Sequence, residues 1–463
     1  MRRLAASIAL LAVSAAEPLI EAPPGTRIGL VVATLDGREI VAIRADERFV
    51  PASNTKLFTT IAAFETLDLS APDAAGGASV RLEGQDVVLS GHGDARLSSA
   101  PDCAANCLKT LADAVAAKTR HVRDVIGDDS AFADERWSEG MSWNNIPSRS
   151  GTAASALTLD DNEAVLVVTP TRVGTAPRVA DDGYYTIDNR AVTVAGSRTS
   201  LSLERAPNSR ALRLTGSIAA DAPPAQARGG IDDPAHRAAW RFAALLRDRG
   251  VRVSGTIGTR HRLPGASDRA GAVVMRVPPP APLARLVPPP LLPDVTLTNK
   301  MSQNLHAELL LRRIGAARGG ASAASVASGL AGVEAVAVKA GVPRTGWDLA
   351  DGSGMSSYNR VSPRAMVTLL RWAAGRPWGA QFRAMLPVAG VDGTLRGRFR
   401  GTPLEGRLWA KTGTLNAANA LAGYMTAKSG ATLVFAAYAN DMPADASATA
   451  VIDAALVEVA AAN

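Results

Sequence analysis

Ser53 and Lys56 stand three residues apart at the head of an apolar run over 57–67. If that run is helical, residues three apart share a face and the lysine amine lies beside the serine hydroxyl. Near neutral pH a serine hydroxyl is a poor nucleophile unless an adjacent base takes its proton. An uncharged lysine can be that base, provided burial or a second cation lowers its pKa. The pair therefore calls for another lysine elsewhere, and Lys411, at the head of Lys411-Thr412-Gly413, supplies one. Ser302-Gln303-Asn304 stands between them in the chain. The five histidines, His92, His121, His236, His261 and His306, are scattered, which agrees with a lysine rather than a histidine base.

The elements around these residues can be read from pattern. Two β-rich runs, 26–33 and 39–44, flank Asp36-Gly37, a strong hairpin signal. This strand pair delivers the chain to Ser53. Lys411 sits on a run that reads as a strand, with further strands over 418–426 and 432–439 and a closing helix over 444–461. Between these ends, short strands are expected at 79–82, 86–89, 122–126, 164–169 and 251–256. Helices are expected at 104–118, 235–249, 300–313 and 322–340. Ser362-Pro363 caps another, running to about 374. Residues 170–230 read as a small all-β unit. Proline-rich connections lie at 278–282 and 288–290.

The 463 residues suggest two or three domains. We expect a catalytic domain in two segments, 17–69 and 282–463. An inserted domain would hold 70–169 and 240–281, and a smaller β-rich one 170–239. The fold class expected is α/β mixed (α+β): an antiparallel sheet flanked by helices, with inserted β-rich domains. The start, Met1-Arg2-Arg3 followed by a short apolar run and small residues, reads as a signal peptide over 1–16. That run is too short for a transmembrane anchor. The net charge of +7 is spread without a Lys/Arg block, so no nucleic-acid footprint is read, while peripheral association with a membrane or wall stays open. Cys103 and Cys107 form a disulfide or two free thiols, and lack the partners of a metal site. No cofactor or metal is called for.

Singly, Ser-x-x-Lys and Ser-x-Asn are weak signals, and Lys-Thr-Gly is rarer. In this order they resemble the motif set of penicillin-binding proteins and serine β-lactamases. The resemblance extends through 89–94, 128–132, 155–159, Asn162, 302–309, 351–354 and 359–363. Over most of the chain the sequence is similar to the D-alanyl-D-alanine carboxypeptidases of the penicillin-binding protein 4 type, the S13 peptidase family. It departs in Gln303, where aspartate is usual, and in the proline run at 278–293.

The resemblance implies the β-lactamase/DD-peptidase-like fold and an exported, periplasmic serine D-Ala-D-Ala carboxypeptidase, with D,D-endopeptidase action as a second activity. Peptidoglycan stems would be its substrates and β-lactams its covalent inhibitors. It also implies roles. Lys56, kept neutral by the field of Lys411 and by burial, deprotonates Ser53. Ser302 passes a proton to the leaving amine. Asn304 holds the acyl-chain amide and fixes Lys56. Lys411, Thr412 and Thr414 draw the substrate carboxylate. Gly413 leaves room for an extended peptide, and the N–H groups of Ser53 and Thr414 form an oxyanion hole. Lys56 or Ser302 would activate the deacylating water. Rival readings are a β-lactamase and a non-catalytic wall-binding or β-lactam-sensing module. Plainer roles are a packing His306, a turn at Asp128-Asp129, and a 351–354 turn shaped for packing.

Overall fold

The computed structural model describes residues 21–207, 209–272, 280–319 and 324–463. The proposed signal segment, part of the first proline run and the expected start of the 322–340 helix lie outside these residues.

Five strands form an antiparallel sheet in the order Leu408–Leu415, Ala418–Thr426, Thr432–Asn440, Arg27–Thr34, Glu39–Ile43. The two ends of the chain meet in its middle, where Leu30 faces Ala437. Successive side chains on a strand point to opposite faces. Val31, Ala422 and Ala436 therefore join one core, with the helices Thr55–Thr66 and Pro363–Ala374. Leu30, Leu421 and Phe435 join the other, with the closing helix Thr449–Ala462. Thr55–Thr66 is buried at every position from Thr55 to Ala63. It is enclosed although Thr55, Lys56, Thr59 and Thr60 are polar, because it packs against Leu292–Lys300, Asn304–Gly319 and Val326–Lys339.

Two helices stand where one was expected to start. The helix expected over 300–313 starts only at Asn304 and runs to Gly319, an unexpected helix Leu292–Lys300 precedes it, and Ser302 stands in the break with φ +60. That left-handed conformation stops a helix and costs a non-glycine residue about 1–2 kcal/mol.

The middle of the chain builds a mixed sheet in the order Ile257–Arg260, Val125–Asp128, Asp86–Ser90, Ser79–Glu83, Ala284–Arg285. Helices Leu108–Lys118 and Pro234–Asp248 cover it. Two smaller sheets share a separate core that includes Leu166, Tyr185, Leu212 and Leu214. Pro234–Asp248 is one continuous helix, so an expected boundary at 239/240 falls inside it. Likewise Ala284–Arg285 pairs with Ser79 and Val80, which keeps residues past 282 with the inserted sheet. Cys103 and Cys107 are joined by a disulfide, and the helix expected from 104 begins at Leu108.

Candidate active site

The chain enters the site through a turn pinned to the five-stranded sheet. Val50 N–H donates to Asn440 Oδ1 (2.7 Å), and Asn54 Nδ2 donates to the Lys411 carbonyl (2.8 Å). Ala52 takes a left-handed φ of +47 immediately before Ser53. Ser53 then lies on a single 3-10 turn, Ala52–Asn54, that runs into the helix Thr55–Thr66.

Two glycines allow this turn to be packed so closely. A Cβ on Gly413 would stand 2.6 Å from the Pro51 carbonyl oxygen, and one on Gly354 would stand 1.9 Å from that of Ala52. The first distance corrects the role expected for Gly413. Its missing side chain makes room for the nucleophile turn, not for an extended substrate.

Lys56 is fully buried, and its Nζ has three neighbours. Asn304 Oδ1 lies at 2.6 Å, the Ser353 carbonyl oxygen at 2.5 Å and Ser53 Oγ at 3.0 Å. Two of these only accept, while a hydroxyl can also donate. A neutral amine has two N–H groups and one lone pair, so it matches this set with Ser53 donating its proton. Burial is the main force on Lys56, pushing its pKa down to about 7, against the pull of the Asp351 and Glu308 carboxylates. Lys411 is also fully buried and held well below its ordinary value, first by burial and then by the charge of Lys56. Of the two causes expected for Lys56, burial and the field of Lys411, burial leads. The repulsion between the amines adds to it.

Lys411 Nζ donates to Ser302 Oγ and to the Thr412 carbonyl, both at 2.8 Å. Ser302 is presented by the break between its two helices, and Asn304 opens the second. Asn304 Nδ2 donates to the Ser150 carbonyl (2.9 Å) and has a second N–H to donate. Thr412 Oγ1 donates to Thr394 Oγ1 (2.8 Å). Thr412 and Thr414 line the cleft from the strand Leu408–Leu415, the edge of its sheet. Ser53, Lys56, Ser302, Asn304, Lys411, Thr412, Gly413 and Thr414 are thus gathered around one cleft.

Two further carboxylates serve the site. Glu308 lies four residues after Asn304 on the same helix. Its Oε1 accepts from the N–H groups of Gly352 (3.1 Å) and Ser353 (2.9 Å), and Oε2 from Arg312 (3.0 Å). Burial, with the nearby Asp351 charge, raises its pKa. Asp351 accepts from the N–H groups of Gly354 and Ser356 and from Asn359 Nδ2. Together they shape the 351–356 loop so that its Ser353 carbonyl meets Lys56. Helical spacing from Asn304 was the signal for Glu308; nothing local marked the carbonyl of Ser353. Asp128 and Asp129 are buried against Arg81 and His261. His306 is buried between Asp161 and Asp294, whose carboxylates outweigh burial and lift its pKa to about 9.

The cleft has a volume of about 1100 Å³ and is lined by Ser53, Ser302, Asn304, Thr394, Thr412, Thr414 and neutral neighbours, with no Asp or Glu among them. Among the described residues, no helix is long and apolar enough to cross a membrane.

The profile of the D-Ala-D-Ala carboxypeptidase 3 (S13) family matches residues 11–463. The chain belongs to that family. The D-alanyl-D-alanine carboxypeptidase of Actinomadura sp. is 37% identical over 422 residues, covering 86% of this chain and 74% of that protein. D-alanyl-D-alanine carboxypeptidase DacB of Haemophilus influenzae is 25% identical over 433 residues, covering 87% and 83%. The crystal structure of penicillin binding protein 4 (dacB) from Haemophilus influenzae superposes with a TM-score of 0.76 at 21% identity, over 95% of this chain and 96% of that one. The mixed α/β fold with its flanked antiparallel sheet is therefore the S13 fold.

Proposed function

We infer that the protein is a penicillin-binding serine D-alanyl-D-alanine carboxypeptidase that works through an acyl-enzyme on Ser53. The observation that carries this reading is the buried Lys56 amine, with Ser53 Oγ and Asn304 Oδ1 both within 3.0 Å. Lys56 takes the Ser53 proton, and Ser53 Oγ attacks the carbonyl between two D-alanines. The N–H groups of Ser53 and Thr414 receive the developing oxyanion. Ser302, linked to Lys411, delivers a proton to the leaving amine. The substrate lies along the edge of the strand Leu408–Leu415 from Thr412 to Leu415, beyond the part that Pro387 and Ala389 already pair, as added strands do. Lys411, Thr412 and Thr414 draw its terminal carboxylate. Water, activated by Lys56 or Ser302, then cleaves the ester.

The substrate we propose is the peptide stem of peptidoglycan, met in the periplasm after removal of 1–16, with D,D-cross-links as a second target. The separate cores support a catalytic unit in two segments, up to 69 and from about 287. They support an insert of 70–162 with 234–286, and a smaller one between. A β-lactamase would need fast deacylation, and a cleft without a carboxylate at its surface argues against that.

Free D-alanine released from a synthetic stem pentapeptide tests the reading. Mass spectrometry after benzylpenicillin treatment should map the adduct to Ser53, with a lifetime of minutes to hours. An adduct elsewhere, or none, contradicts it. A lifetime of milliseconds points to a β-lactamase.

A further inference from the structure

Trp143 is 70% exposed, which is unusual for so large an apolar side chain. It sits on a loop fixed at both ends. On the active-site side, the Gly140 carbonyl accepts from Ser357 N–H (2.9 Å), and Ser150 meets Asn304. On the other side, the Pro147 carbonyl accepts from Gly230 N–H (2.9 Å), in the small β unit. Beyond Trp143 lies a second cleft, of about 610 Å³, within the roughly 300–1,000 Å³ usual for small-ligand sites. Asn144 lines both clefts.

Its floor is one face of the small sheet. Arg213 stands directly between Glu204 and Asp188 on neighbouring strands, and its Nε donates to Asp188 Oδ2 (2.9 Å). Ser202 continues the same face. Exposed ion pairs contribute little to stability, so this row is not required to hold the sheet. The lining carries two carboxylates, Asp188 and Glu204, and two guanidiniums, Arg205 and Arg213, so it has no net charge to draw an anionic chain. Carboxylates, a guanidinium and a hydroxyl in one plane do suit a neutral polyol, whose hydroxyls both donate and accept. An exposed indole face suits the C–H face of a pyranose ring.

We propose that this cleft binds the glycan strand of peptidoglycan, with an N-acetylated hexosamine stacked on Trp143 and its polar groups on Asp188, Glu204 and Arg213. The proposal rests on the peptidoglycan reading above. A stem is covalently attached to glycan, and four extended residues span only about 13–14 Å. The sugar must therefore lie close to Ser53. Asn304, which the reading above sets against the acyl-chain amide of the stem, donates to Ser150 on the loop that carries Trp143 and Asn144. The second cleft is the next surface along that path.

The test uses the full chain and chitotetraose, a β-1,4-linked N-acetylglucosamine tetramer without peptide. Intrinsic fluorescence and calorimetry should report saturable binding in the millimolar range or tighter. W143A should weaken it tenfold or more at an unchanged melting temperature, and E204Q/R213A should weaken it as well. S53A should bind as the unaltered protein does, so the result does not depend on turnover. No binding, or equal binding by W143A, overturns the proposal and leaves D-alanine release as a separate question.

Discussion

At the residue scale, the site depends on keeping one amine short of a proton. The type and spacing of Ser53, Lys56 and Lys411 were legible because their chemistry is local. The cause of the Lys56 shift was not, because it depends on what surrounds the amine in space. Burial and a charged neighbour were both expected agents, and only the structure shows that burial is the larger one. Lys56→Ala should reduce Ser53 acylation by benzylpenicillin about 10²–10⁴-fold, the usual worth of a general base. Glu308 acts from the other direction, since its negative charge helps Lys56 keep a proton. E308Q retains the oxygen that accepts from Gly352 and Ser353 while removing that charge. The pH midpoint of acylation should then move down. An unmoved midpoint would mean that Glu308 is already protonated at neutral pH.

At the scale of elements, the hairpin, the Ser53 helix and the three closing strands followed from alternation and turn chemistry. The break at Ser302 did not. Apolar spacing continues across it, and only a left-handed backbone at one residue separates the two helices. Ser302→Gly should relieve about 1–2 kcal/mol of that strain and raise the melting temperature, while slowing acylation through loss of the hydroxyl. Ser302→Ala should slow acylation without the gain in stability. Gly413→Ala puts a methyl group against the Pro51 carbonyl. It should destabilise the fold by about 1–3 kcal/mol, the range for overpacking, and slow acylation by moving the edge strand off the nucleophile turn. Denaturant melts together with a penicillin-labelling time course read both effects. If Gly413→Ala weakened only substrate binding, the strand-packing role would fail.

At the scale of the molecule, the catalytic unit and its insert are joined by a small apolar cluster that includes Phe132, Ala156, Leu305 and Leu309, and by polar contacts. Arg313, on the helix that begins at Asn304, forms two buried hydrogen bonds to Asp73 at the start of the inserted segment. Arg313→Ala leaves Asp73 buried and unpaired and should cost about 3–5 kcal/mol, read by chemical denaturation. That pairing was invisible in the sequence because 240 positions separate its members. The segment boundaries were only partly legible for a similar reason. Ala284–Arg285 and the first turn of Pro234–Asp248 take their place from distant partners, not from local composition. The assembled cores also keep water from Lys56, so the whole fold sets the chemistry of one amine. The rate of Ser53 acylation by benzylpenicillin, followed from pH 5 to 9, tests this most directly. The account predicts a single rise centred near pH 7 as Lys56 loses its proton, absent in Lys56→Ala. A rate independent of pH across that range, or the same rise in the variant, would contradict it.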